Sequence, residues 1–516
     1  MYYIFFSRGN KSQFLDTRKL DSAVLVSSVT SARLVMMASG EPRVVQGIAV
    51  SSQYDPSSDQ MVAGVSDYNV TKGQKQPGGC KDFPFALIFY GQLAAIIVCA
   101  IIYGPAAFKT YQFEEFNISG DLIGYIKVAG ATGVVAFVLA GCMLLVLMCI
   151  ASILIKTALI FTFCLYGLWA AYGFYIGNII IGVIGIFFFL LMGCYVWAVW
   201  SRIPFATANL VTALTAVKAN LGLSIIAYFF AVLSLAWYLL WALVFVGIWV
   251  STTCDMQTQI CQGEPNGGYL FLLFLSFFFT TQVIQNCVHV TVAGTVGTWW
   301  FTPSEASCCC SGAVIGSWFR AMTTSFGSIC FGSLLVAILQ ALRQLVNTLR
   351  DGDNGILICI ADCILGCLES ILEYFNKWAY VYVGLYGYSY LEAGKNVFTL
   401  FKNRGWEAII ADDLVSMTLF LVSLMVGLVT GGVGIGLIRQ TDWFPEVQGA
   451  NDTWIGFVFG FLCGIVICSV LMSVVASAVN TVIVCFAEGP AEFEQNHPEL
   501  SRKMRATWIK AYPGCF

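Results

Sequence analysis

Long apolar runs recur from residue 85 to residue 485, and they constrain the fold of this chain more than any other feature. A helix needs ~20 apolar residues to cross the hydrocarbon core of a bilayer. In that core, only helices and closed barrels satisfy every backbone hydrogen bond. We therefore predict an all-α polytopic membrane protein with about ten transmembrane helices. The predicted spans are residues 85–104, 132–154, 157–175, 179–200, 223–250, 269–296, 321–346, 356–372, 408–438 and 454–485.

The composition excludes the soluble classes of protein. Hydrophobic residues make up 58% of the chain and charged residues 11%, whereas a soluble domain has roughly 25% charged residues. The only two histidines, His289 and His497, cannot form a His-rich metal cluster. No glycine-rich nucleotide loop stands in the strand-to-helix context that such a loop requires. We expect no enzymatic activity, no metal, no cofactor, and no nucleotide or nucleic-acid partner.

Three regions follow from the distribution of charge. Residues 1–84 are polar and without sustained apolar periodicity, which is typical of a disordered tail. Residues 85–485 form the predicted transmembrane domain, and residues 486–516 a second tail. The stretch 37–42 resembles an alternative translation start.

Basic residues predict the orientation of the spans. With both tails in the cytoplasm, 21 of the 26 Lys and Arg residues fall on the cytoplasmic side. An excess of Lys and Arg in cytoplasmic loops is the usual mark of orientation in helical membrane proteins. We therefore expect both termini to be cytoplasmic.

That orientation predicts where the chain is glycosylated. Asn117 and Asn451 lie in glycosylation sequons of predicted outer loops, whereas the Asn69 sequon lies in the N-terminal tail. In a glycosylating host, endoglycosidase should increase the gel mobility of the wild-type protein. Replacing Asn69 by Gln should leave this shift unchanged, and a glycan on Asn69 would contradict the orientation.

The predicted outer loop 251–268 contains Cys254 and Cys261. These are the cysteines that the orientation places in an oxidising compartment, where disulfides form and persist. We predict that they form a disulfide bond.

Polar side chains share one face of the sixth predicted span. Gln282, Gln285, Asn286 and His289 fall within roughly 100° of arc on a helix. Polar residues inside a membrane are costly and often mark a substrate path. The alternative is that they form interhelical hydrogen bonds that hold the bundle together.

Aromatic side chains recur at helical spacing in the fifth predicted span, at Trp237, Trp241, Phe245 and Trp249, with Tyr238 beside them. Such residues commonly pack or anchor a helix at the membrane interface. They also suit a quaternary ammonium ion, which is bound chiefly by cation–π contacts with aromatic faces.

The eighth predicted span places Asp362, Glu369 and Glu373 within roughly 40° of one face. This acidic stripe would guide an amine or carry a coupling proton. Alternatively, the two glutamates reach water while Asp362 pairs with Arg343, or the short helix lies in the membrane interface.

Glycines recur every four residues in the tenth predicted span, at Gly456, Gly460 and Gly464. Small residues at this spacing let two membrane helices approach closely. We predict close helix packing along this face.

Several segments together resemble the choline-transporter-like family, in particular its fungal and protist pH-nine-sensitivity branch. They are residues 202–210, 282–301, 327–328, 332–334, 375–380 and 496–500. The resemblance covers about residues 84 to 510 and implies a ten-span carrier of choline, with ethanolamine as a related substrate, that supports phospholipid synthesis. The expected partners are a small organic cation and the lipid bilayer. The expected location is the plasma membrane, with an organellar membrane as the alternative. The competing class is a non-transporting membrane scaffold or stress-response protein.

Overall fold

The structure of the protein is a computed structural model. The structure describes residues 79–110, 118–253, 267–306, 311–348, 355–404, 408–440 and 450–511. By its internal contacts the chain divides into two compact units, and residues 71–507 form the larger one. The other unit comprises residues 1–70 and 508–516, nearly all of which lie outside the described ranges.

The described residues form α-helices, short 3-10 turns and connections, without a strand. The helices are α1 Phe83–Thr110, α2 Ile118–Tyr175, α3 Ile179–Val199, α4 Ile203–Ala219, α5 Gly222–Thr253, α6 Gly267–Phe301, α7 Gly312–Met322, α8 Phe326–Thr348, α9 Gly355–Tyr386, α10 Tyr390–Arg404, α11 Ala408–Gln440, α12 Ala450–Glu488, α13 Pro490–Asn496 and α14 Pro498–Ala511. The predicted all-α class is confirmed.

Eight helical segments among the described residues are long and apolar enough to cross a membrane: 83–105, 127–175, 179–219, 222–249, 267–301, 326–348, 413–439 and 456–488. Seven of the predicted spans each overlap most of one of these segments. The predicted spans 132–154 and 157–175 share α2, which bends at Ile150, where the backbone leaves helical geometry (φ −125°, ψ 27°). The predicted span 356–372 lies in the 32-residue helix α9, which is long enough to cross a bilayer. About ten spans therefore agree with the structure, and the cytoplasmic position of both termini stays a prediction.

A tight turn sets α3 against the end of α2. Gly177 has a φ of +74°, a conformation that glycine adopts without steric cost. Asn178 then caps α3, its side-chain oxygen accepting a hydrogen bond from the Ile181 backbone N–H at 3.2 Å. A Cβ atom on Gly185 would lie 2.5 Å from the Ala170 Cα atom, so the two helices touch through their backbones.

Helices α11 and α12 pack closely through the predicted glycine face. A Cβ atom on Gly460 would lie 2.3 Å from the Thr430 carbonyl oxygen. One on Gly464 would overlap the Thr430 side chain, and one on Gly456 would lie 2.6 Å from the Ile438 Cδ1 atom. The predicted close packing is confirmed, because none of these three positions has room for a side chain.

Helix α6 lies against α5, α7, α8, α9 and α12. Its last turn is held by the segment after α12: Trp300 donates its indole N–H to the Gly489 carbonyl oxygen at 3.0 Å and stacks on Phe493 at 3.8 Å between ring centroids. Asn496 donates to the carbonyl oxygens of Trp300 and Phe301, each at 2.9 Å. These contacts fix the end of the helix that carries the polar face.

Candidate functional site

A cavity of about 270 Å³ lies between α1, α5, α6 and the α7–α8 junction. Its wall is almost entirely apolar and rich in aromatic rings. The aromatic residues that line it are Phe89, Tyr90, Phe230, Trp237 and Phe326. Thr280 and Cys287 of α6 supply two of its few polar side-chain atoms.

Contacts between the rings fix the shape of this aromatic wall. Tyr90 stacks on Phe326, with ring centroids 5.4 Å apart and planes 29° apart. Phe89 meets the edges of Phe326 at 5.5 Å and of Phe279 at 5.4 Å. Such stacked and edge-on pairs each add to the stability gained from burial. The wall is therefore built by α1 and α8 as well as by α5.

Trp237 is the predicted aromatic residue that reaches the cavity. Its side chain is 5% exposed, and its indole N–H donates to the Phe277 carbonyl oxygen on α6 at 3.4 Å. That bond occupies the indole nitrogen, and Trp237 is among the residues that line the cavity.

Tyr238 and Trp241 lie outside the cavity lining. Trp241 donates its indole N–H to the Leu273 carbonyl oxygen at 2.9 Å and packs against Phe245 and Phe277. Tyr238 is 36% exposed and also contacts Phe277. In this structure both residues join α5 to α6.

The predicted polar face of α6 makes contacts with three neighbouring helices. Asn286 donates to the Ser333 hydroxyl on α8 at 3.0 Å. The His289 ring nitrogens lie 2.8 Å from the Ser477 hydroxyl on α12 and 2.8 Å from the Lys377 carbonyl oxygen on α9. These two residues therefore sit where α6, α8, α9 and α12 converge.

The other two members of this face differ from each other. Gln282 donates to Gln340 on α8 at 3.4 Å and to Glu373 on α9 at 3.5 Å. Gln285 is exposed and has no hydrogen-bond partner among the described residues. Three of the four predicted residues thus contact the bundle, and Gln285 does not join them.

The acidic stripe of α9 meets the polar face through α8. Arg343 donates to Asp362 at 2.7 Å and to Glu369 at 3.1 Å. Gln340 donates to Glu369 at 3.0 Å and to Glu373 at 3.1 Å. The structure thus contains the predicted Arg343–Asp362 pair, and it adds Gln340 as the link between Gln282 and the two glutamates.

Several sequence predictions fall outside what the structure describes. Asn117, Cys254 and Cys261 lie outside the described residues, and Asn451 lies in the first turn of α12 with a side chain outside them. Their glycosylation and disulfide stay predictions.

Sequence reasoning missed the contribution of α1 and α8 to the cavity. Phe89, Tyr90 and Phe326 stand in or beside ordinary apolar runs rich in other aromatic residues. Periodicity shows which residues share a face of one helix but not which helices meet. No signal in these runs distinguishes the rings that line the cavity from those that face lipid.

A bundle of helices with eight candidate membrane spans among the described residues, and with a pocket between its helices, is typical of polytopic membrane proteins. A family model described as "Plasma-membrane choline transporter" matches residues 179–491, more than half of the chain. The chain belongs to this family. It is therefore a membrane transporter rather than an enzyme.

Fungal proteins named Protein PNS1 are similar to this chain. The protein from Eremothecium gossypii is 28% identical over 466 residues, covering 84% of this chain and 81% of the relative. That from Debaryomyces hansenii is 29% identical over 459 residues, covering 82% and 88%. That from Gibberella zeae is 30% identical over 345 residues, covering 64% and 62%. The predicted resemblance to the family and its fungal branch is confirmed.

Proposed function

We propose that this protein carries choline, or a closely related small organic cation, across the plasma membrane and so supplies phospholipid synthesis. Membership of the family, whose description names choline and the plasma membrane, supports the substrate and the location. The observation that carries the proposal is the aromatic cavity around Trp237.

The chemistry of the cavity suits a quaternary ammonium ion. Such an ion has no N–H to donate, so proteins bind it largely through aromatic faces, and this cation–π attraction is stronger in a desolvated site. Trp237, Phe230 and Phe326 are each at most 5% exposed and face the same space. The cavity volume of about 270 Å³ lies close to the lower end of the usual range for small-ligand pockets.

The apolar and aromatic lining of the cavity predicts that the protein prefers choline to ethanolamine as a substrate. A primary ammonium group carries three N–H donors, as a lysine does, and burying them without acceptors is costly. The side-chain acceptors in the lining are few, chiefly the hydroxyls of Thr280 and Tyr90 and the weakly accepting sulfur of Cys287. Ethanolamine is therefore expected to be the weaker substrate.

The polar face of α6 and the acidic stripe form the second part of the proposed route. Glu373 contacts the amides of Gln282 and Gln340 and no basic side chain among the described residues. Its negative charge would attract an organic cation toward α6. Asn286 and His289 continue this face.

The Asn286→Leu variant tests whether Asn286 lines the transport route or only packs the helices together. If Asn286 lines the route, choline uptake should fall at least tenfold while folded yield stays near normal. Losing the bond to Ser333 alone costs little, since such interhelical hydrogen bonds average about 0.6 kcal/mol. Normal uptake, or loss of folded protein before loss of uptake, would assign Asn286 to packing. Gln285→Leu, at the exposed position of the same helix, is the matched control.

Uptake of labelled choline by liposomes that contain the purified protein tests the proposed function. We expect saturable uptake that excess unlabelled choline inhibits and that ethanolamine inhibits more weakly. Empty liposomes and liposomes containing the Trp237→Leu variant are the controls. Uptake no greater than in empty liposomes would overturn the proposal.

A further inference from the structure

Thr280 behaves differently from the other threonines of α6. Thr281, Thr291 and Thr295 each donate their hydroxyl to the carbonyl oxygen four residues earlier, at 2.7 to 2.9 Å. Thr280 makes no such bond among the described residues and instead accepts a hydrogen bond from the Gln92 side-chain N–H at 2.9 Å. Its hydroxyl hydrogen is thus not committed to its own helix.

Thr280 lies where its hydroxyl hydrogen can reach a ligand in the cavity. The side chain is 4% exposed and lines the aromatic cavity. A threonine hydroxyl is one donor and can accept two hydrogen bonds. With Gln92 occupying one acceptor position, the donor is available to a ligand in the cavity.

Gln92 supplies a second unpaired group beside Thr280. Its side-chain oxygen is buried and has no hydrogen-bond partner in the described part of the chain. Because this oxygen belongs to the amide that contacts Thr280, the pair presents an uncommitted donor and an unpartnered acceptor side by side. A buried polar atom without a partner is unusual and calls for a ligand, an ordered water or a functional role.

We propose that Thr280, positioned by Gln92, recognises an alcohol group on the ligand, so that the cavity selects ammonium alcohols over other small organic cations. This inference rests on the proposed function. The ligand hydroxyl accepts a hydrogen bond from Thr280, and Gln92 acts as the positioning residue that turns the Thr280 hydroxyl away from its own helix. The aromatic rings contact the ammonium group at the other end of the ligand.

This contact predicts that the cavity binds a ligand with a hydroxyl group more tightly than the same ligand without one. A site built to hydrogen-bond a hydroxyl disfavours an analogue without one, because its buried polar groups are then left unpaired. One hydrogen bond of ordinary strength corresponds to about tenfold in affinity. Choline should therefore bind about tenfold more tightly than propyltrimethylammonium, in which a methyl group replaces the hydroxyl.

Binding of these two probes to the purified full-length protein, measured by titration calorimetry, tests the inference. In the Thr280→Val variant, choline affinity should fall about tenfold. Propyltrimethylammonium affinity should stay within a factor of two, which also shows that the variant is folded. Gln92→Leu should also reduce the preference for choline over propyltrimethylammonium. Without Gln92, the Thr280 hydroxyl is free to donate to a backbone carbonyl oxygen of its own helix.

Thr281→Val is the matched control, since Thr281 is adjacent on the same helix and bonds to the Phe277 carbonyl oxygen. It should leave the preference for choline unchanged. Equal affinity of the wild type for the two probes would overturn the alcohol inference while leaving the ammonium cavity in place. Equal weakening of both probes by Thr280→Val would assign the residue to packing and also overturn it. A wild-type protein that binds neither probe would overturn the proposed function itself.

Discussion

Replacing Trp237 with leucine should raise the choline concentration for half-maximal uptake by about thirtyfold. A desolvated cation–π contact contributes about 2 kcal/mol, which corresponds to that factor in affinity. Leucine keeps the site apolar but removes one aromatic ring from the residues that line the cavity. Phenylalanine at this position keeps a ring, so Trp237→Phe should have a smaller effect. The measurement is the concentration dependence of choline uptake in liposomes.

Trp241→Leu is the control for this prediction. Trp241 lies one turn further along α5, outside the cavity lining, and its indole N–H donates to the Leu273 carbonyl oxygen. Its replacement by leucine should lower the unfolding temperature of the protein, with only a small effect on choline affinity. Equal effects of the leucine variants at the two positions on choline affinity would contradict the assignment of Trp237 to the site.

Replacing Gly460 with valine should prevent normal packing of α11 against α12. The new Cβ atom would lie 2.3 Å from the Thr430 carbonyl oxygen and 3.2 Å from the Gly431 Cα atom. Both are backbone atoms, so the helices must separate. Overpacking of this kind costs about 3 kcal/mol at the upper end of its usual range. We expect a large loss of folded protein, measured as monodisperse yield in detergent and as a lowered unfolding temperature.

Gly432→Val on α11 is the matched control. Gly432 is exposed, and a Cβ atom there would meet nothing within 4 Å. This variant should retain near-normal yield. A Gly460→Val protein as stable as the Gly432→Val protein would show that the close contact of the two helices is not needed for folding.

The sequence alone predicted the features that belong to single helices, namely where each membrane helix lies and which residues share one of its faces. Apolar runs gave the membrane helices, because a bilayer requires a fixed length of apolar helix. The glycine repeat from Gly456 to Gly464 predicted the close packing of α12, since a spacing of four residues places the glycines on one face. The shared face of Gln282, Asn286 and His289 followed from the same periodicity.

The tertiary structure decided which side chains meet across helices. It placed Trp237 at the cavity while Trp241 packs between α5 and α6, although both share one face of α5. It also brought Phe89 of α1 and Phe326 of α8 into the wall of that cavity.

The same holds for the polar contacts. Gln340 joins Gln282 to the acidic stripe, and Gln92 lies 188 residues from its partner Thr280. Helical periodicity specifies the face on which a residue lies, but the partner of that face depends on how the helices pack against one another. The sequence therefore determined the membrane helices, while the cavity and its proposed alcohol contact depend on how α1 packs against α5, α6 and the α7–α8 junction, which lie far from α1 along the chain.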